Sequence, residues 1–408
     1  MNFKKITIKS WQQFGSIDIS FNERLTVLTG ANGSGKTTIL NILARHFGWQ
    51  TQSLAIPEKD KILQVWKWIT GLFLDEDKDM KIIGEIEYSD GAKAELLIPK
   101  QSSAQYSIEI KKKQELDGFF IPSHRSIFRY QALTNIPTQG TIDKRQAFER
   151  VSNSNKGRYF GGGDYSTSFH VKETLIAWNV FGRGNEDMEP NEKLFEYYKG
   201  FEDTLKIILP KEIGFKRFLI RSFELVLECD SGNFIIDAAS GGISALIDIA
   251  WQIYMYSTEK NIFTVLIDEV ENHLYPIMQR RILNDFIKAF PNVHFIVSTH
   301  SPLIVGSVKN SEVYVLKFNN DKKIINLKLD LLNKAKTAAE ILDEVLGVSF
   351  TMPVWVEEKL KEIIAKYASL EIADKTFSDM KAELSEVGLE KLIPEAIVGL
   401  TEKKDDKN

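Results

Sequence analysis

The run Gly30-Ala31-Asn32-Gly33-Ser34-Gly35-Lys36-Thr37 constrains this chain more than any other stretch. It fits the pattern G-x-x-x-x-G-K-[ST] and lies between an apolar run, Leu25-Thr26-Val27-Leu28-Thr29, and a segment with helical spacing over residues 39–47. Strand, glycine-rich loop, helix is the arrangement in which backbone N–H groups curl inward and form an anion nest. The helix that follows aims its positive end at the same point. In this pattern Lys36 reaches the β- and γ-phosphates and the Thr37 hydroxyl ligates Mg²⁺. The expectation is a bound nucleoside triphosphate, held by Gly30, Asn32, Gly33, Ser34, Gly35, Lys36, Thr37 and Thr38.

Two further runs end in polar groups. Phe263-Thr264-Val265-Leu266-Ile267 stops at Asp268-Glu269, and Val293-His294-Phe295-Ile296-Val297 stops at Ser298-Thr299-His300. Such continuous apolar runs suit parallel strands buried on both faces. Ligands of open parallel sheets sit outside the carboxyl ends of the strands, so the three strand ends are expected to converge. Asp268 would then hold Mg²⁺ through water, Glu269 would orient or deprotonate an attacking water, and His300 would hydrogen-bond the γ-phosphate or that water. An ordinary Asp-Glu turn and a satisfied loop histidine are the alternatives. A fourth candidate is Ser240-Gly241-Gly242, which opens an amphipathic helix over residues 243–256. Ser240 is a natural N-cap, and the corner is either a capped helix without a ligand or a second anion site.

Alternation over residues 3–19 suggests edge strands, and residues 81–110 read as antiparallel around the turn Ser89-Asp90-Gly91. Residues 119–122 and 223–227 read as strands, and residues 192–208 and 276–290 as helices. The stretch 157–168 contains Gly157, Gly161, Gly162 and Gly163 and reads as a mobile loop. The expected organisation is a first part of an α/β head (1–122), an inserted, mainly helical lobe (123–209), the rest of the head (210–330) and a helical tail (331–408). Frayed residues 402–408 are expected at its end. Trp11 and Phe14 either stack on a base or pack in the sheet.

Bulk properties narrow the setting. The chain has 408 residues, a net charge of −4 and one cysteine, Cys229. That leaves no disulfide framework or cysteine zinc site, and a reduced, cytoplasmic compartment fits. No apolar run approaches the roughly 20 residues of a membrane span. The net charge gives no sign of nucleic-acid binding, and the basic runs Lys111-Lys112-Lys113 and 144–150 read first as solvated faces.

Taken in order, the Walker A loop, Ser-Gly-Gly, Asp-Glu and His resemble the heads of ABC-type ATPases, in the branch with SMC-like, RecF-like and OLD-like members. Ile267-Asp268-Glu269-Val270-Glu271-Asn272-His273-Leu274-Tyr275-Pro276 followed by Ser298-Thr299-His300-Ser301-Pro302 resembles the OLD-like ATPases in particular. Ile121-Pro122-Ser123-His124-Arg125 and the stretch 340–353 resemble AAA-family ATPases of bacterial anti-phage operons such as PARIS and Septu. The resemblance implies a P-loop NTPase head with a mixed sheet and an antiparallel edge subdomain, taking ATP and Mg²⁺. It also implies a head-to-head homodimer or higher oligomer. Ser240, Gly241 and Gly242 of one copy would there cap the γ-phosphate held by Lys36 of the other.

The sequence departs from the family pattern at Ala239 and Ile243, which flank the signature core, and it shows no obvious Q-loop glutamine; Ser123 or His124 stands in that region. Val354-Trp355-Val356-Glu357-Glu358-Lys359 superficially matches the start of a TOPRIM nuclease domain. It continues as a helix with Leu360, Ile363, Ile364 and Tyr367 in step and with no Asp-x-Asp. The expected role is therefore a nucleotide-driven switch or scaffold in defence, with a separate nuclease or toxin as effector. A DNA-repair or chromosome-maintenance ATPase that binds DNA directly is the alternative, and a transporter motor is disfavoured.

Overall fold

The computed structural model describes residues 1–59, 66–70, 79–100, 103–137, 143–159, 165–257, 262–330, 337–341, 354–368, 374–394 and 396–397. The glycine run 161–163, most of the stretch 340–353 and residues 402–408 lie outside the described residues. Two compact units are present, Met1–Ile341 and Leu342–Asn408.

An eleven-stranded sheet organises the first unit. From one edge to the other it runs Glu109–Lys111, Lys93–Pro99, Met80–Tyr88, Phe3–Trp11, Phe14–Ser20, Ile324–Lys328, Glu312–Phe318, Leu25–Gly30, Val293–Thr299, Phe263–Ile267 and Gly118–Ile121. The last five pair in parallel. The first five form an antiparallel wing, and Ile324–Lys328 links it to the parallel strands, pairing in parallel with Phe14–Ser20 and antiparallel with Glu312–Phe318. Every residue of Leu25–Gly30 and Phe263–Ile267 is buried, as the unbroken apolar runs require.

Residues 3–19 are not edge strands. Phe3–Trp11 lies between Phe14–Ser20 and Met80–Tyr88, both antiparallel to it. Their alternation records one-sided burial: Ile6, Ile8, Ile17 and Ile19 pack in one core with Ile39, Leu40 and Leu43 of the helix Lys36–Ala44. Trp11 and Phe14 are core residues too, stacked with ring centroids 5.8 Å apart, and the Trp11 indole N–H donates to the Tyr106 hydroxyl at 3.1 Å. The turn at 89–91 is present, with Gly91 at φ 86° between Met80–Tyr88 and Lys93–Pro99.

Four helices pack together: Lys144–Tyr159, Thr167–Arg183, Glu192–Ile208 and Gly241–Tyr256. Gly157 is helical and not part of a loop. Side-chain oxygens of Ser166 and Asn191 cap two of these helices, accepting from Phe169 N–H and Leu194 N–H. An aromatic core joins the bundle. Phe201 meets Trp251 edge-on at 4.9 Å, and Trp178 lies 6.0 Å from Trp251. A small sheet of Phe215–Arg221, Glu224–Cys229 and Phe234–Ile235 adjoins it. Phe223 belongs to the hairpin turn and not to a strand; it has φ 62° and is exposed.

The helix expected over 276–290 is two helices, Pro276–Gln279 and Ile282–Ala289. Arg281 N–H donates to Met278 O at 3.0 Å, a tightened turn that interrupts the helix; no residue of Pro276–Gln279 is buried, whereas Ile282, Leu283 and Phe286 are.

In the second unit, Val354–Ala368 and Asp374–Glu386 pack Val356, Leu360, Ile363 and Tyr367 against Met380 and Leu384.

Phe201 is fully buried between Trp251 and Phe218. Phe201→Ala is expected to lower the stability of the first unit by about 3–5 kcal/mol, read from urea unfolding monitored by tryptophan fluorescence. A loss below about 1 kcal/mol would contradict this packing.

Candidate nucleotide site

Strand register brings the candidate groups together. Thr29 pairs with Thr299, and Val297 pairs with both Val27 and Ile267. The loop after Leu25–Gly30, the turn at Asp268-Glu269 and the loop at His300 therefore lie side by side at one end of the sheet.

The loop at residues 30–38 has the backbone its glycines allow. Gly30, Gly33 and Gly35 have φ of 140°, 77° and 88°. A Cβ on Gly30 would collide with the Leu316 carbonyl, and one on Gly35 with the Phe14 ring. No side chain caps the helix Lys36–Ala44, and its first turn contains no acid. Asn32 is exposed, Ser34 is buried, and Thr38 is half-buried.

Lys36 is 4% exposed, and its ammonium donates to Gly30 O at 2.8 Å, Ala31 O at 2.9 Å and Ser34 Oγ at 3.4 Å. All three acceptors are neutral. Burial pulls the Lys36 pKa down to about 8, although Asp268, Glu269 and Glu271 oppose the shift. A buried ammonium without a directly bonded anion fits a phosphate ligand.

The Thr37 hydroxyl donates to the Asp268 carboxylate at 3.0 and 3.1 Å. Asp268 is nearly fully buried, accepts from Ser298 Oγ at 2.5 Å, and is raised above the usual aspartate range by burial. Among the described residues no cluster of three or more His, Cys, Asp or Glu forms a metal cage. One buried carboxylate beside one hydroxyl fits Mg²⁺, which takes few protein ligands and leaves the remainder to phosphate and water.

Glu269 stands at φ 47°, a left-handed conformation unusual for glutamate. Its N–H donates to Ser298 Oγ at 2.8 Å. One carboxylate oxygen accepts from Asn272 Nδ2 at 2.8 Å, and the other lies 3.6 Å from His300 Nε2. Glu271 accepts from the His300 N–H at 2.5 Å and so positions the histidine backbone. The half-exposed Glu269 carboxylate is thus bonded by Asn272 on one side and faces the His300 ring on the other.

Ser240, Gly241 and Gly242 open the helix Gly241–Tyr256, and the two glycines pack near His273. A Cβ on Gly242 would sit 3.0 Å from His273 O, and one on Gly241 3.8 Å from His273 Cβ. Among the described residues no hydrogen bond joins them to residues 30–38 of the same chain. Ser240 occupies the N-cap position without making a capping bond, contrary to the sequence expectation. Ser244 Oγ instead donates to Ala239 O at 3.0 Å, leaving the Ser240 hydroxyl outside the helix's own bonding.

Sequence reasoning assigned no role to Arg125, Ser298, Glu271 or Asn272. Arg125 Nη2 donates to Asp268 O at 3.1 Å and Glu269 O at 2.8 Å, and Asn272 Nδ2 also donates to Ser123 O at 3.2 Å. These residues stand inside the quoted motifs, but only tertiary closure shows what they hold.

A family model described as "AAA domain, putative AbiEii toxin, Type IV TA system" matches residues 25–306. The Septu protein PtuA of Bacillus thuringiensis is 22% identical over 370 residues, covering 87% of this chain and 86% of that protein. A retron Vc95 probable ATPase of Vibrio cholerae serotype O1 biovar El Tor is 20% identical over 438 residues, covering 91% and 83%. The SMC head domain from Thermotoga maritima superposes with a TM-score of 0.42 at 15% identity, covering 81% of this chain and all of that one. No helix among the described residues is long and apolar enough to cross a membrane. With the family model spanning most of its length, this chain belongs to the AAA-domain family described as putative AbiEii toxin, type IV TA system, and is similar to the Septu protein PtuA and to a retron probable ATPase.

Proposed function

We propose that the chain binds Mg-ATP at residues 30–38, hydrolyses it, and uses the nucleotide to control head-to-head pairing with a second copy. The observation that carries this reading is the meeting of Thr37 and Asp268. They lie 231 positions apart in sequence, yet bond beside the buried Lys36 with Glu269 as the next residue. Lys36 binds the β- and γ-phosphates, which replace its neutral acceptors. Thr37 and Asp268 hold Mg²⁺, which when bound neutralises phosphate charge. Glu269 accepts a proton from the attacking water, with Asn272 and His300 keeping its carboxylate in line.

Ser240, Gly241 and Gly242 of the second copy supply a helix N-terminus to the γ-phosphate, so the phosphate charge joins the heads and its loss releases them. The assembly acts as a switch or scaffold in anti-phage defence, with a separate nuclease or toxin as effector. The names of its Septu and retron relatives support that setting.

Lys36→Ala is expected to abolish binding of a fluorescent ATP analogue. Glu269→Gln should keep binding, lower phosphate release about 100-fold or more, and accumulate as an ATP-dependent dimer by light scattering. Wild-type turnover in both variants would sink the site assignment.

Proton linkage offers an independent check. The free Lys36 ammonium loses its proton above about 8, and a bound triphosphate raises its pKa again. ATP affinity should therefore be level below that pH and fall above it. Calorimetry at about pH 8.5 in buffers of unequal ionisation heat should show proton uptake that is absent near pH 6.5. Equal uptake at both would contradict the depressed lysine.

Asn272→Ala frees one side of the Glu269 carboxylate. It should lower kcat by about tenfold with little change in nucleotide affinity, as measured by steady-state kinetics beside equilibrium binding.

A further inference from the structure

Large apolar side chains lie exposed at two places on the first unit. One is a ribbon of Ile56–Lys59 and Trp66–Ile69, a two-stranded sheet separate from the eleven-stranded one. Its register sets Pro57 opposite Trp68 and Lys59 opposite Trp66. Leu54, Ile56, Trp66 and Trp68 are all exposed, Trp66 at 64%. A ribbon of two strands is marginal in water, and a contiguous apolar surface of this kind marks contact with another molecule.

The ribbon is rooted beside the phosphate loop. Ser53-Leu54 pairs with Gln105-Tyr106, and Gln12 Nε2 donates to Leu54 O at 3.5 Å and to the Tyr106 hydroxyl at 3.0 Å. Gln12 lies in the turn between Phe3–Trp11 and Phe14–Ser20, and the Phe14 ring packs beneath Gly35.

The second place is the hairpin tip between Phe215–Arg221 and Glu224–Cys229. Arg221 pairs with Glu224, so Ser222 and Phe223 form a two-residue turn, and both have left-handed φ, 48° and 62°. Such a turn favours Asn-Gly, and a phenylalanine in it is strained. The Phe223 ring is 71% exposed, so little burial offsets that strain within the chain. The tip borders the Ser-Gly-Gly corner. Glu224 Oε2 and Asp237 Oδ2 both accept from Lys172 Nζ, at 2.9 and 2.7 Å, and Asp237 stands three residues before Ser240. The exposed Tyr130 ring, 5.2 Å from the same ammonium, extends the patch.

One apolar patch therefore flanks the phosphate loop and the other flanks the corner. A two-fold axis that sets the corner of one copy on the loop of the other brings these unlike patches together, and does so twice. Nucleic acid is a weaker fit to the ribbon, because residues 54–69 carry three lysines against two acids.

We propose that Trp66 and Trp68 of the ribbon dock on Phe223 and Tyr130 of a second copy of this chain, so that an apolar clasp flanks each nucleotide held between the heads. This rests on residues 30–38 being the nucleotide site and on the heads pairing over it. The clasp gives the strained Phe223 its function, since the turn holds the ring out for the partner. It also adds an attraction that does not depend on phosphate charge and that only another copy of this chain can match at both patches.

Cross-linking tests the contact. Lys59→Cys and Ser222→Cys are made separately in the chain carrying Glu269→Gln and Cys229→Ala. With ATP and Mg²⁺, a short bismaleimide should join the two proteins when mixed about tenfold more than it joins either alone, because the contact is between unlike patches. Light scattering tests the energetics. Phe223→Gly relieves the left-handed strain, so in the Glu269→Gln chain it should keep or raise thermal stability and bind ATP within about threefold, yet raise the dimer dissociation constant about tenfold or more. Trp66→Ser should weaken pairing similarly, and the double variant should lose less than the product of the two losses. Phe223→Gly carries the test if Trp66→Ser does not fold. Unchanged pairing in Phe223→Gly, or an ATP-dependent dimer that cross-links no better in the mixture than alone, would overturn the clasp. Absence of any ATP-dependent dimer in Glu269→Gln itself is a different result, which removes the pairing reading and the clasp with it.

Discussion

A buried ammonium bonded only to neutral oxygens sets the terms for this molecule. Lys36 is almost closed to solvent and donates to two carbonyls and a hydroxyl of its own loop. Its charge is desolvated without a bonded counter-ion, a costly state that a polyanion relieves. The nearby carboxylates act at a distance and do not bond to it. The surroundings fit that requirement: the loop turns through left-handed glycines, Phe14 packs beneath Gly35, and five parallel strands carry the neighbouring loops to the same edge.

The acids are arranged by burial. Asp268 is enclosed and bonded to two hydroxyls, from Thr37 and Ser298, so it is shaped to hold a cation near phosphate. Glu269, one residue on, is turned by its left-handed backbone toward the half-exposed mouth and bonded by Asn272. Adjacent carboxylates thus acquire different environments, and those environments suit the different tasks of metal ligand and proton acceptor. The Ser-Gly-Gly corner packs against the same turn through His273.

Much of this was legible because local pattern and tertiary position agree. Unbroken apolar runs before Gly30, Asp268 and Ser298 mark strands buried on both faces, and parallel register then places the polar residues that follow. Patterns that report only which face is buried were less informative. Residues 3–19 alternate because Ile6, Ile8, Ile17 and Ile19 share one core, and alternation cannot distinguish the middle of a wing from its rim. The helical spacing of residues 276–290 runs on in the sequence across a tightened turn at Arg280-Arg281, so periodicity alone does not show the interruption. The bonds that position Glu269 were invisible for another reason. Arg125 contacts it across 144 positions, and no spacing rule spans such a distance.

The most direct test is a structure of Glu269→Gln determined with ATP and Mg²⁺. The account predicts β- and γ-phosphate oxygens on Lys36 Nζ in place of the Gly30 and Ala31 carbonyls, a metal ion between Thr37 and Asp268, and the Ser240 corner of another copy on the γ-phosphate. Density for nucleotide away from Lys36, with its ammonium still bonded to its own loop, would contradict it.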